Sequence, residues 1–469
     1  MTDFSNRRAA LVVASAGYFF VLLDVTIVNV ALAHIGSDLG GSRASLQWVV
    51  DAYALVLAAF MLSSGDLADR FGAPRVFAMG LALFGLASAG CAAAPSIGFL
   101  IGARALQGLG AAAILPTSLA IVNQLFTDPS ERPRAIGTWA ALGGSAMVAG
   151  PVLGGVLVAA VSWRAIFWLN VPLAALASAL AVALIPAQSP RKARRLDLGG
   201  QISGALALLG LVSFLIESGR EGFEAPVALV AAVLGLTSAV SFVCCERSRR
   251  QPLLELSWFA KPELSAANAA SGLMNMGTLG ALFAIGLYLQ QSRGLSALDA
   301  GLTLVALAAP LAFLTPFSGR LVAASGPRRP AGIGLMICGG AYLGLAGVGA
   351  SITAPGGIAL LALAGTGMGI AVPGLVAGAT QALGEGRAGI AAAINNTARQ
   401  VGGAVGVALI GGLGSFSTAL VASGAALLLG GSAALALMGR SRCETVRPCD
   451  RGDHGGRASD EGRRWLGRE

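Results

Sequence analysis

Four ionisable side chains, Asp24, Asp51, Arg104 and Arg399, interrupt long apolar runs of the 469-residue sequence. A charge inside such a run is costly in hydrocarbon, so each must face a cavity or a partner of opposite sign. Counting rise per residue from the outer ends of their runs places Asp24, Asp51 and Arg104 at a common depth of roughly 8–14 Å. A carboxylate with an arginine in reach, inside a partly dry cleft, can exchange protons with a set point tuned by burial and by the guanidinium. The competing reading is a static polar clamp between helices. Proton coupling is the favoured reading for Asp24. Both stay open for Asp51, which lies near the outer interface where water can solvate it. Arg104, Gln107, Gly108 and Ala111 share one helical face at i, i+3, i+4 and i+7, a polar head above a stripe of small residues. Arg399 lies about 16 Å into its own run, beside Asn395, Asn396, Thr397 and Gln400. There, contact with a substrate and hydrogen bonding between helices are equally good accounts.

The elements that must position these residues follow from composition. The chain is 55% hydrophobic and 12% charged, against about 25% charged in soluble proteins, and its 66 glycines suit helices in close approach within a membrane. Apolar windows long enough to span fall near Ala9–Ala33, Leu46–Ser64, Val76–Ala94, Ile97–Phe126, Ala135–Val161, Ala165–Ile185 and Leu198–Ile216. Seven more fall near Val227–Cys245, Ala266–Gln290, Leu302–Ala324, Ala331–Gly349, Gly357–Leu383, Ala388–Leu413 and Ser417–Met438. The first run follows Arg7-Arg8 and ends near Ala31-Leu32-Ala33, as a signal peptide does, but it is too long and carries Asp24, so it reads as a retained helix.

The formal net charge of +9 invites a nucleic-acid partner, yet the basic residues gather in alternate short loops. With the N-terminus inside, inner loops receive Arg70 and Arg75, Arg132 and Arg134, Arg191 to Arg195, Arg247 to Lys261, Arg320 to Arg329, and Arg387. Outer loops hold only Arg43, Arg164, Arg220 and Arg293. This alternation predicts an even number of helices in an inner membrane, with both chain ends cytoplasmic and no nucleic-acid partner.

The stretch Gly65-Asp66-Leu67-Ala68-Asp69-Arg70-Phe71-Gly72-Ala73-Pro74-Arg75 is an island of charge between two apolar runs, expected to form a tight aqueous turn. Its frame returns as Gly319 to Arg329, with Gly65, Leu67 and Gly72 matching Gly319, Leu321 and Gly326. Gly108, Gly110 and Pro116 likewise match Gly365, Gly367 and Pro373, and Gly150 and Gly154 correspond to Gly402 and Gly406. A duplicated chain of this kind predicts an all-α membrane protein of 14 transmembrane helices. Its parts would be a six-helix bundle over 1–190, an extra helix pair over 191–250, a second six-helix bundle over 251–440 and a disordered cytoplasmic tail over 441–469.

Absences narrow the chemistry. Neither of the two lysines, Lys192 and Lys261, ends a phosphate-binding Gly-x-x-x-x-Gly-Lys-Ser/Thr loop. The two histidines, His34 and His454, read as loop and tail residues, which argues against a histidine-based metal or nucleophile site. The six cysteines show no zinc-like spacing, and Cys443 and Cys449 lie in the polar tail. No enzyme, cofactor or metal is expected.

At these residues the chain resembles the major facilitator superfamily, and within it the fourteen-helix drug:proton antiporters, closest to quaternary-ammonium and methylenomycin-type exporters. The turn Gly65–Arg75 looks like the superfamily signature. Leu23 to Leu32, including Asp24, Thr26 and Asn29, is similar to the first-helix motif of that branch, whose aspartate is implicated in activity. Arg104 to Gly110 resembles the fourth-helix motif, whose arginine is linked to proton transfer. Gly150-Pro151-Val152-Leu153-Gly154-Gly155 looks like the antiporter motif of the fifth helix, and Trp163-Arg164, Asn170-Val171-Pro172 and Asn395 to Gln400 also resemble this branch. The resemblance implies proton-coupled efflux of drugs or other amphipathic small molecules by a monomer in the lipid bilayer. Proton coupling would fall to Asp24, Arg104 and Asp51, and the substrate cavity to Thr26, Asn29, Gln107, Asn395, Asn396 and Arg399. Gly65, Asp69, Arg70, Gly72, Arg75, Gly150, Pro151, Gly154 and Gly155 would govern conformational change. The second copy of the turn has Ala323-Ala324 where the first has Asp69-Arg70, so a charge lock would belong to the first copy alone. The rival readings are a transporter for a specific metabolite and a non-transporting receptor of the same fold. Asp24 speaks against a receptor, and Gly150–Gly155 against an importer.

Overall fold

A computed structural model describes residues 2–128, 131–186, 197–249, 254–384 and 387–439. The tail over 441–469, with Cys443, Cys449 and His454, lies outside the described residues, as do Arg191, Lys192, Arg194, Arg195 and Arg250. The described chain is built of long helices: α1 (Thr2–Leu39), α2 (Arg43–Phe71), α3 (Ala73–Ala92), α4 (Ile97–Leu125), α5 (Arg132–Ala160), α6 (Arg164–Leu184) and α7 (Leu198–Glu221). They continue as α8 (Pro226–Ser248), α9 (Pro262–Leu287), α10 (Ala297–Ser325), α11 (Arg328–Val348), α12 (Pro355–Leu383), α13 (Ala388–Leu409) and α14 (Phe416–Leu437). Among the described residues, thirteen segments have the length and apolar composition to cross a membrane. The helix not among them is α13, where Asn395, Asn396, Thr397, Arg399 and Gln400 dilute the apolar run. It packs on α9, α2, α12 and α7, so protein covers much of its surface.

Several helices outrun their apolar windows, because a backbone that satisfies its own hydrogen bonds has no reason to stop at the hydrocarbon boundary. His34, expected in a loop, is an exposed residue of α1, and Arg43 and Arg164 open α2 and α6. The same effect corrects the turn at Gly65–Arg75. Gly65 lies inside α2, which continues through Asp69 and Arg70 to Phe71. The reversal is made by Gly72 alone, at φ 87°, with Pro74 in the first turn of α3. That backbone region strains any residue with a Cβ, and Gly326, at φ 76°, does the same between α10 and α11.

The duplication seen in the sequence is a duplication of helix crossings. A Cβ at Gly108 of α4 would lie 2.4 Å from the Tyr53 carbonyl oxygen of α2, and one at Gly365 of α12 would lie 2.0 Å from the Leu307 carbonyl oxygen of α10. Two residues on, Gly110 meets Gly80 and Phe84 of α3, and Gly367 meets Gly334 and Cys338 of α11. Tyr53, Gly80 and Phe84 stand at one constant sequence offset from Leu307, Gly334 and Cys338. The packing follows suit: α1 lies on α5, α3 on α4 and α6, and α2 on α4, while α9 lies on α13 and α14, α11 on α12 and α14, and α10 on α12. α7 and α8 pair with each other, and α7 also packs on α2 and α13.

Backbone against backbone leaves nothing that can yield, so Gly108→Val forces α2 and α4 apart. Its expected cost is about 1–3 kcal/mol. Gly102, on the same helix, has nothing within 4 Å of the place a Cβ would take, and accepts alanine without loss. Thermal unfolding of the two purified variants checks the contrast.

Candidate functional site

Asp24 is held directly by side chains from two other helices, α4 and α6, and through Gln107 by a third, α3. Arg104 of α4 donates through Nη1 to Asp24 Oδ2 and, at 2.6 Å, to Gln107 Oε1 one turn along its own helix. Gln107 Nε2 donates to Asp24 Oδ1 at 2.8 Å and to Ser88 Oγ of α3 at 2.9 Å. Asn170 Nδ2 of α6 reaches Asp24 Oδ1 at 3.5 Å. Arg104 Nε donates to the Val49 carbonyl of α2 at 3.0 Å, and its guanidinium carbon lies 4.3 Å from the centre of the Tyr53 ring. The Arg104 and Asp24 side chains are 1% and 0% exposed. Desolvating either ion alone costs several kcal/mol; the ion pair, its neutral donors and the aromatic face together offset that cost. The structure therefore joins Asp24, Arg104 and Gln107. It adds Ser88 and Tyr53, and it gives Asn170, noticed in the sequence only within the family-like Asn170-Val171-Pro172 stretch, a place beside Asp24; Ser88 had one sequence signal, that of a lone polar side chain in an apolar run.

Asp51 differs from the solvated residue its position suggested. It is 0% exposed, and neither carboxylate oxygen has a hydrogen-bond partner among the described residues. The reason is that α13 packs over α2 here, with Gln400, Gly403 and Val407 beside Asp51. Asp51 borders a narrow cavity, about 20 Å³ for a water centre, together with Val28, Arg104, Gln400, Gly403 and Val407. That is room for a single water molecule. Arg104 touches this cavity and the Asp24 network alike.

The remaining expected residues occupy the packing seams. Thr26 Oγ1 donates to the Leu23 carbonyl of its own helix and, at 3.4 Å, to the Ala146 carbonyl of α5. Asn29 donates to the Val25 carbonyl at 2.7 Å. Gly150 and Gly154 lie against Thr26 and Ile27 of α1, Gly155 lies against Ala297 and Leu298 of α10, and the Pro151 carbonyl lies against Gly301. The antiporter-like stretch thus seats α5 between α1 and α10. On α13, Asn395 donates to Asn268 Oδ1 and Ser271 Oγ of α9, and Asn396 Nδ2 lies 3.4 Å from Met61 Sδ of α2. Asp69 and Arg70 are exposed, with Arg70 over the Phe71 ring. Near the loops at 40–42 and 410–415, side chains reach across to backbone. Arg43 Nε donates to the Gly411 carbonyl at 2.7 Å, and Gln47 Nε2 donates to Val407 and Ala408 at 2.7 and 2.9 Å. Gln290, in a π-helical turn after α9, donates to the Val30 carbonyl of α1 at 3.0 Å. Among the described residues no three His, Cys, Asp or Glu side chains converge on a metal position.

The family model of the Major Facilitator Superfamily matches residues 14–407, a span that holds the whole Asp24 network and α13 up to Val407. The chain belongs to the Major Facilitator Superfamily. It is accordingly a multi-pass membrane transporter. A methylenomycin A resistance protein of Bacillus subtilis is 38% identical over 301 residues, which make up 64% of this chain and 64% of that protein's length. The multidrug resistance protein Stp of Mycobacterium tuberculosis is 34% identical over 408 residues, 87% of this chain and 75% of that protein. The crystal structure of a peptide transporter, POT, superposes with a TM-score of 0.68 over 92% of this chain and 94% of its own; at 14% identity that likeness concerns the fold alone.

In this superfamily member, removing one partner of the buried pair leaves the other charge uncompensated. Asp24→Leu is expected to cost about 3–5 kcal/mol, and Asp24→Leu with Arg104→Met to recover most of it. Thermal unfolding of the two variants decides; equal losses would mean that the pair is not electrostatically coupled.

Proposed function

We propose that this chain exports drugs or other amphipathic small molecules across the inner membrane in exchange for protons. The observation that carries the reading is the Asp24–Arg104 pair, fully buried, joined in a network that spans five helices and bordered by the carboxylate of Asp51, which has no hydrogen-bond partner among the described residues. The resistance names of its relatives support drug efflux as the direction and cargo.

In this reading the halves over 1–190 and 251–440 rock about a central cavity, with the pair over 191–250 appended. Both chain ends lie on the cytoplasmic side, and the monomer is the working unit. A proton arriving at Asp24 cancels its charge and frees Arg104, which weakens the tie of α1 to α4 and to the Val49 carbonyl of α2. Asp51, sharing the water-sized cavity with Arg104, relays the proton. Return of the proton on the opposite side restores the pair. A substrate that prefers one of the two states is thereby driven outward. Each proton crossing roughly 100 mV contributes about 2.3 kcal/mol from the potential alone. The contacts of Arg43, Gln47 and Gln290 close the seam at the outer end, so this conformation opens inward. Asn396 and Arg399, half-buried on α13, face the cavity, Thr26, Asn29 and Asn395 brace the helices around it, and Gln107 serves the coupling network. Gly65, Asp69, Arg70, Gly72 and Arg75 form the lock that engages when the inner end closes, and Gly150, Pro151, Gly154 and Gly155 form the bearing on which α5 turns.

Asp24→Asn keeps an oxygen that accepts from Arg104 and loses only titration. In proteoliposomes it should insert normally, yet abolish substrate-induced proton release and substrate accumulation. Proton release at the wild-type level would remove Asp24 from the coupling site.

A further inference from the structure

Arg43, Gln47 and Asp51 stand on successive turns of one face of α2, and all three meet α13 or the turn just past it. The first two donate to backbone. The carbonyls of Val407, Ala408 and Gly411 lie at or beyond the last turn of α13, where the helix supplies no further N–H, so a side-chain donor from α2 fits them. Asp51 is the third rung and cannot behave alike when ionised, because a carboxylate only accepts. What α13 sets against it is the Gln400 side chain, Gly403 and Val407, around room for one water. Asp51 is buried, and neither of its oxygens has a hydrogen-bond partner among the described residues. Deeper along the seam, Ala54 and Leu55 of α2 form one apolar cluster with Ala404 and Ala408 of α13 and Val212 and Ile216 of α7.

Asp24 shows what a buried carboxylate in this fold receives when it stays ionised: donors from Arg104, Gln107 and Asn170. Asp51 receives none of these. Arg104 reaches the wall of its cavity, but the bonds of that guanidinium go to Asp24, Gln107 and the Val49 carbonyl. The Tyr53 phenol, also at the wall, donates to the Val21 carbonyl at 3.3 Å. The other helices present groups that do not titrate: Val25 and Val28 from α1, Leu279 from α9, and Gln400, Gly403 and Val407 from α13.

We propose that Asp51 is a proton-operated latch on the seam of α2 with α13, and that Gln400 is its receiver on the second half of the chain. As the neutral acid, Asp51 gains the donor that Arg43 and Gln47 already have. Its hydroxyl donates through one water to the Gln400 amide oxygen, and the seam closes. As the carboxylate it is a charge without a donor in an apolar seam, and the seam opens to let water reach it. The order of events rests on the reading of this chain as a proton-coupled exporter with this seam outermost. A proton taken from the outer aqueous phase then shuts the outer end and turns the carrier inward to collect its cargo.

Hydrogen exchange of the purified full-length chain in lipid nanodiscs, read by mass spectrometry and corrected for the intrinsic pH dependence of exchange, tests this without requiring transport. One proton taken up on closing shifts the open–closed balance by at most about tenfold per pH unit. Going from about pH 8 to about pH 6 should raise the protection of segments 43–58 and 400–413 roughly tenfold. Segments of α11 and α14 should not respond, and their protection also shows that each variant is folded. Asp51→Asn keeps a neutral donor in place and should stay protected at both pH values. Gln400→Leu should lose most of the gain, and adding Asp51→Asn to it should restore none. Asp24→Asn should keep the response. A wild-type seam indifferent to pH, a response that persists in Asp51→Asn or in full in Gln400→Leu, or one abolished by Asp24→Asn overturns the inference. Exchange of substrate for protons in proteoliposomes separates the two readings. Exchange by a chain whose seam ignores Asp51 sinks the latch and keeps proton-coupled export; a seam that answers to Asp51 in a chain that moves no protons keeps the latch and sinks that export.

Discussion

Hydrocarbon offers no solvent to a charge, and the arrangement of the first six helices answers to that constraint at Asp24. Its carboxylate needs a counter-ion and donors, and these come from different helices: Arg104 and Gln107 from α4, Asn170 from α6, with Ser88 of α3 bracing Gln107. Arg104 in turn needs acceptors, and takes the Val49 carbonyl of α2. Satisfying two charges therefore fixes five helices relative to one another. The close glycine crossings, Gly108 on Tyr53 above all, are what let the helices approach near enough for these short side chains to meet.

The same economy bears on the proposed mechanism. A buried network in which Asp24, Arg104 and Gln107 bond one another is rigid, and the gain or loss of one proton changes the balance of its bonds. Asp51 stands in contrast, buried at the seam of α2 with α13 and without a partner. Two carboxylates beside one arginine, one fully bonded and one not, form an asymmetric pair suited to passing a proton in one order. The seam itself is closed by side chains that donate to backbone carbonyls, those of Arg43, Gln47 and Gln290. Such contacts need no matching side chain on the other face, so they can re-form after each cycle.

The duplicated frame explains why the two halves of the fold behave differently despite identical crossings. Backbone geometry was copied: Gly108 and Gly365 meet the α2 and α10 carbonyls alike, and Gly72 and Gly326 reverse the chain alike. Polar chemistry was not. The first copy holds the Asp24 network and Asp69-Arg70, while the second holds Arg399 and the Asn395–Asn268–Ser271 cluster. A scaffold fixed by glycine leaves its side-chain faces free to diverge.

Composition, window length and the repeated Gly and Pro spacings were enough to state the helical membrane architecture and the superfamily, because apolar runs and small-residue crossings are written in consecutive residues. The motifs singled out Asp24 and Arg104 for the same reason, as charges where charge is costly. Tertiary structure alone decided their partners. Ser88, Asn170 and Tyr53 lie far from Asp24 in sequence, and nothing in a lone serine or asparagine says which helix it will face. It also decided that Asp51 is buried rather than solvated, since cover by α13 is not a property of α2. The helix through Gly65 to Phe71 and the helical place of His34 were missed because hydropathy marks where lipid ends, whereas a helix ends only where its backbone is broken, here at Gly72. The Tyr18–Trp139 stack gave no signal at all: an aromatic in an apolar run reads as packing until the fold sets two rings from different helices face to face.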